Sequence, residues 1–157
     1  MNGSVHIELA SLTAGQRLLL SRAGDLFAQL STKRVFAAQM RRIFATPPRD
    51  EDLDVMWHLL TREDGARRLP AIIDYVRQRS RYARRWIGAL ERLHDLPTLV
   101  AWGEKDPVAV PAIADALSRE IPSARTARWP ELGHYPQVES PAKVAATLEA
   151  FWSSTDA

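Results

Sequence analysis

The chain has 157 residues, 46% of them apolar and 25% charged, with a formal net charge of +2; that is enough apolar material to close a core and too even a balance of sign for a chain that works by charge alone. It has no cysteine, which excludes disulfides, thiolate nucleophiles and cysteine-held metals, and its four histidines (His6, His58, His94 and His134) show no HxH or HExxH spacing, so neither a metal nor another cofactor is expected. No apolar run is long enough to span a bilayer and the opening MNGSVHIELA lacks the features of a secretory signal, which predicts a soluble, cytoplasmic chain without membrane contact.

From about residue 12 to residue 92 apolar side chains recur at helical spacing: Phe36, Met40, Ile43 and Phe44, then Leu53, Met56, Trp57 and Leu60, then Leu69, Ile72, Ile73 and Val76. This part reads as all helix. TPPRDED at 46–52 starts a helix, with acidic residues in the first turn where the helix dipole favours them, and EDG at 63–65 breaks the pattern. Residues 1–95 carry 16 Lys/Arg against 11 Asp/Glu, whereas 96–157 carry 5 against 8. The shift in charge coincides with a shift in pattern and places a boundary near Asp95, dividing the chain into 1–95 and 96–157.

Beyond that boundary Thr98 to Trp102 is a short β-favouring run between Pro97 and Gly103, apolar on both faces, and reads as a buried parallel strand. PAIADALSREI at 111–121 is an amphipathic helix with proline at its start, and ARTARWP at 124–130 a second, less apolar strand. SPAKVAATLEAFW closes the chain as a helix, with Ser140 as N-cap, Pro141 at the first position and Val144, Leu148, Phe151 and Trp152 facing inward. The fold class is α/β: a βαβα unit with a right-handed crossover and two parallel strands. Parallel neighbours end on the same side, so Asp106 and His134 both follow the C-terminal ends of strands, the edge where open α/β sheets bind ligands.

An imidazole accepts a proton near neutral pH, and an ionised carboxylate at its other ring nitrogen fixes its tautomer and orientation. On that reading Asp106 orients, His134 is the general base, and Pro107 and Gly133 shape the turns that present them. The same two residues taken alone fit more commonly two surface turns carrying a solvated histidine.

PTLVAWGEKDPVAVP followed by RWPELGHYPQVESPAKVAATLEAFW, together residues 97–152 almost without interruption, resembles the C-terminal end of α/β-hydrolases. There the acid follows the seventh strand and the histidine the eighth, which implies catalytic roles for Asp106 and His134. NGSVHIE, the helices, and YVRQRSRYARRWIGAL resemble the helical cap of the haloalkane dehalogenase and epoxide hydrolase branch, and the NG and RRWIGAL elements are similar in particular to the mesoderm-specific transcript protein subgroup. The resemblance thus implies a helical cap at 1–95 and the C-terminal βαβα portion of the hydrolase core at 96–157. It implies hydrolysis of a small ester, epoxide or carbon-halogen substrate through a covalent intermediate, with water activated by His134.

In that family the nucleophile precedes these elements, on a GxSxG turn or its aspartate equivalent. None of the ten serines lies in such a turn, and Ser4 in NGSVH lacks the second glycine. The resemblance implies that the chain opens near the end of the family's sixth strand and is weakly active alone. An upstream hydrolase segment or a second copy would pair with the open strand edge. The competing reading is a non-catalytic remnant of the fold that acts by binding a partner chain.

Phe36, Phe44, Trp57 and Trp86 are candidates for lining an apolar substrate pocket, although each taken singly fits ordinary helix packing better. Trp102 and Trp129 lie on strands and read as core. RQRSRYARR at 77–85 holds five arginines around all sides of a helix. That pattern fits a solvated helix pairing with DED at 50–52 better than a nucleic-acid footprint, so no nucleic acid is expected. His6 and His58 have no partner in reach by sequence, and His94 reads as a surface turn.

Overall fold

The computed structural model describes residues 1–3, 5–90, 92 and 95–155. Seven helices come first: α1 (Ala14–Leu19), α2 (Gly24–Leu30), α3 (Lys33–Ile43), α4 (Asp50–Thr61), α5 (Leu69–Ile73), α6 (Tyr75–Arg81) and α7 (Ala83–Leu90). Then follow β1 (Leu99–Gly103), α8 (Pro111–Glu120), β2 (Arg125–Trp129), α9 (Pro136–Glu139) and α10 (Pro141–Ser153). Thr13 starts α1 with a capping box to Gln16, and the Thr32 hydroxyl accepts from the Val35 N–H at the start of α3, each meeting an N–H that the helix itself leaves unpaired. Between α4 and α5 a 3₁₀ turn spans Arg62–Arg68. The reversal there is made by Glu63 and Asp64, both at positive φ, and not by the glycine of EDG.

β1 and β2 pair in parallel, with Leu99 opposite Arg125 and Gly103 opposite Trp129. Successive side chains of a strand point to opposite faces, and both faces of β1 are covered. Val100 and Trp102 join Ile113, Ala114 and Leu117 of α8 in one core, while Ala101 joins Trp129, Leu132 and Val144 of α10 in another. A third cluster ties the helical part to this unit, since Ile43 and Phe44 pack on Val108 with Met40, Met56 and Tyr135 at its margin. Trp102 is sealed in the core and its indole N–H donates to the Ala109 carbonyl at 2.8 Å, as a buried indole must.

Several local expectations are corrected. Trp152 is 57% exposed, because the inward stripe of α10 runs through Val144 and Leu148 and the tryptophan falls off it. Ser140 stands at the N-cap of α10 without a side-chain cap bond. The four-residue helix α9, absent from the sequence reading, ends directly in it and sets its backbone. Asp50 and Asp52 pair with Arg41 and Arg49 and not with the arginines of 77–85. Arg77 pairs instead with Asp74 on its own turn, as neighbours three apart on a helix do. His94 lies outside the described residues.

His6 also departs from expectation. It is buried, with Nδ1 2.8 Å from the Glu8 carboxylate and Nε2 2.9 Å from the Glu120 carboxylate at the end of α8. Burial works against the imidazolium, but the hydrogen bonds and charges of Glu120 and Glu8 together outweigh it and raise the pKa above its ordinary 6.5. For Glu8 too, burial is opposed by hydrogen bonds and by His6, and its carboxyl is held below its ordinary 4.5. Stability from a raised histidine is complete below the unfolded value and lost as pH climbs through the folded one; stability from a lowered carboxylate is lost on acidification. Both contributions are therefore complete between pH 4.5 and 6.5. The melting temperature of the chain should fall between pH 6.5 and pH 9 by more than that of His6→Gln, as measured by circular dichroism; equal declines would remove His6 as the cause.

Candidate active site

The strand ends come together as two loops. After β1 the Glu104 N–H donates to the Trp129 carbonyl and the Lys105 N–H to the Leu132 carbonyl. These bonds carry the parallel pairing past the sheet and set the loop of Asp106 beside the loop of His134. Gly103 and Gly133 make this approach possible. A Cβ on Gly103 would stand 2.4 Å from the Gly133 carbonyl oxygen, and one on Gly133 would stand 2.5 Å from the Ala45 nitrogen. Backbone occupies both places, so a side chain has nowhere to go.

Asp106 Oδ2 and His134 Nδ1 are 2.7 Å apart, although 28 positions separate them in sequence. The Asp106 side chain is fully buried and that of His134 is 20% exposed. A buried carboxylate needs hydrogen bonds to hold its charge, and Asp106 has four. Oδ1 accepts from the Val108 and Ala109 N–H groups at 2.8 and 2.9 Å, while Oδ2 accepts from Asn2 Nδ2 at 2.8 Å as well as from the imidazole. The ionised group only accepts, so the His134 proton sits on Nδ1. Nε2 is left with its lone pair and, among the described residues, no hydrogen-bond partner. An imidazole in this state takes a proton from a group placed at Nε2 and keeps its orientation as it does so.

The histidine loop is held from the helical part. The His134 N–H donates to the Ile43 carbonyl at 3.0 Å, and the Glu139 carboxylate accepts from the N–H groups of Ala45, Thr46 and Gly133. One acidic side chain thus fastens the end of α3 to the turn that carries the imidazole. Tyr135 meets the His134 ring edge-on, with centroids 4.9 Å apart. Burial first, then electrostatic interaction with Tyr75 and Asp106, pushes its hydroxyl above the usual value of 10.0, so the phenol stays neutral near pH 7.

On its other side Tyr135 lines a cavity of about 610 Å³ among the helices, with Phe36, Met40, Met56, Trp57 and Leu60 in its wall. No Asp, Glu, Lys or Arg lines it; Gln16, Gln39 and Ser31 supply the polar groups. Of the four aromatic candidates, the structure brings Phe36 and Trp57 together there, with ring centroids 5.5 Å apart. Phe44 is buried against Tyr135 at 5.1 Å and outside that wall, and Trp86 is 39% exposed against Tyr82. Among the described residues no group of three or more His, Cys, Asp or Glu is placed to hold a metal ion, and no helix is long and apolar enough to cross a membrane.

Asn2, Tyr135 and Glu139 were not singled out as site residues from sequence. Asn2 lies in the NG element and Tyr135 directly follows His134, which are the two local signals available; Glu139 had none, because its three partners come together only through the fold.

Gly133→Ala should destabilise the chain by about 1–3 kcal/mol, the usual range for overpacking, and Glu139→Gln by a similar ~1–3 kcal/mol through loss of an acceptor and its charge. Gly88→Ala is the control, since its new methyl would meet nothing nearer than 3.9 Å. Urea unfolding checks all three, and a Gly133→Ala midpoint equal to that of the control would show that the two loops do not meet this closely.

No family model matches the chain. Among curated proteins it is 40% identical over 142 residues to LipZ of Mycobacterium tuberculosis, whose name assigns it to the hydrolases; the match takes in 89% of this chain and 49% of the relative. It is 26% identical over 148 residues to the mesoderm-specific transcript protein of Mus musculus, covering 89% of this chain and 43% of that protein. The chain therefore spans about half the length of the curated relatives it matches. Among solved structures, a bacterial membrane phospholipase A superposes on 93% of this chain and 46% of its own, with a TM-score of 0.63 and 20% identity, which is a likeness of fold. Taken together, the relatives and the fold support an α/β-hydrolase-like superfamily for this chain, which carries part of a hydrolase fold together with a helical part.

Proposed function

We propose that this chain supplies the acid and the base of a hydrolytic triad. His134 is the general base that activates water on a covalent intermediate, and Asp106 holds its tautomer and stabilises the imidazolium. The observation that carries this reading is the 2.7 Å contact between a fully buried carboxylate and a histidine whose second nitrogen is left open. The sequence offers no nucleophile elbow, so the nucleophile comes from a segment outside these residues. That segment adds as a strand to β1, which pairs only with β2 among the described residues.

The substrate is a neutral ester, epoxide or carbon-halogen compound whose apolar part lies in the 610 Å³ cavity beside Tyr135. A wall without a charged side chain disfavours an ionic substrate, since burying an unpaired charge is costly. Nearness to the mesoderm-specific transcript subgroup draws support from the 26% match to the mouse protein, while the epoxide and carbon-halogen substrates rest on the cap's resemblance alone.

The test is reconstitution. Combined with a nucleophile-bearing α/β-hydrolase segment, the chain should hydrolyse neutral p-nitrophenyl esters. His134→Ala should cut kcat by ~10⁴ or more, and Asp106→Asn by no more than that, ~10³–10⁴, because the amide favours the wrong tautomer. Turnover that is indifferent to His134 would overturn the assignment. A complex that forms but never turns over any of the three substrate classes would favour a partner-binding role instead.

A further inference from the structure

We infer that Asn2 is a positioning residue for the Asp106–His134 pair, acting on the imidazole through the carboxylate; the inference rests on the reading of His134 as the general base. Asn2 Nδ2 donates to Asp106 Oδ2 at 2.8 Å and lies within 3.1 Å of the Gly103 carbonyl, while Asn2 Oδ1 accepts from the Gly103 N–H at 2.8 Å. The amide is thereby fixed at both ends. Gly103 holds its plane, and the remaining N–H can point only at the carboxylate.

A carboxylate has about four acceptor directions, two on each oxygen. At Asp106 the Val108 and Ala109 N–H groups take both on Oδ1, and Asn2 takes one on Oδ2. One direction is left, and His134 Nδ1 occupies it. Asn2 therefore does two things that the turn at 106–109 cannot. It stops the carboxylate rotating about its Cβ–Cγ bond, which would present a different lone pair to the ring, and it draws off part of the negative charge on the oxygen that faces the imidazole. The second effect limits how strongly Asp106 holds a proton on His134, keeping the base able to release it.

Asn2 also closes the end of β1 through Gly103, a role that would be purely structural. A double-mutant cycle on the His134 pKa, read by NMR of the imidazole nitrogens of the full chain, separates the two. With Asp106 present, Asn2→Ala leaves the carboxylate less well solvated, and the His134 pKa should rise by about half a unit or more. With Asp106→Asn there is no carboxylate to relay the change, and Asn2→Ala should shift His134 by less than about 0.2 units. Equal shifts in the two backgrounds, or none in either, would overturn the inference.

Should Asn2→Ala unfold, Asn2→Asp keeps the acceptor for the Gly103 N–H but replaces the N–H aimed at Asp106 with a carboxyl group, and two carboxyl groups this close share one proton. The His134 pKa should then shift by about half a unit or more in either direction with Asp106 present and by less than about 0.2 units with Asp106→Asn; equal shifts, or none, would mean that Asn2 does not address the carboxylate. The proposed function fails separately: coupled Asn2 and Asp106 in a reconstituted protein without turnover would retire the triad and leave the positioning intact. Turnover that depends on His134 with an uncoupled Asn2 would do the reverse.

Discussion

The parallel pairing of β1 and β2 is the constraint from which the site follows. Five rungs, from Leu99 opposite Arg125 to Gly103 opposite Trp129, bring two strands to an end at the same level and on the same side. An antiparallel pair would place the residues after each strand at opposite ends of the sheet. The crossover through α8 makes the parallel arrangement possible, and burial of β1 between the α8 and α10 cores fixes its register. The Asp106 carboxylate is then saturated by two main-chain N–H groups, one amide and one imidazole. A buried charge is tolerable only in such company.

The βαβα unit was legible in the sequence because its signals are local. Pro97 and Gly103 bound an apolar run, Pro111 and Pro141 open helices, and the observed elements fall within about a residue or two of the expected bounds. Two parallel strands with a loop after each allow Asp106 and His134 to meet, but the residues alone fit two surface turns as well, and it was the resemblance to α/β-hydrolases that picked the pair out. Helical character across the first part was equally plain. What escaped was how those helices turn: the reversal uses Glu63 and Asp64 at positive φ, a conformation that side chains with a Cβ rarely adopt and that composition does not announce.

Partners supplied across the chain were the other blind spot. His6 looked isolated, yet Glu120 lies against it from 114 positions away, and Glu139 reaches Ala45 from 94 positions away. No periodicity encodes such contacts; the first accompanies the packing of Val5 and Ala10 against the α8 core, and the second the core shared by Ile43, Phe44 and Val108. The aromatic candidates divide on the same ground. Phe36 and Trp57 lie on facing helices and meet at the cavity, whereas Trp86 on α7 is turned to another neighbour. Helical spacing reports a face and not what stands opposite it.

The fastening of the histidine loop to α3 has a consequence for dissecting the molecule. The βαβα unit looks like a self-sufficient module in sequence, yet the His134 main chain and two of the three N–H groups held by Glu139 find their counterparts among residues 43–46. Excising the helices would leave an acidic side chain and a main-chain donor stranded beside the imidazole, together with the bared flank of Val108. The smallest piece that can preserve the geometry of the base therefore includes α3, and subcloning at the apparent boundary near Asp95 would separate the imidazole from its own scaffold.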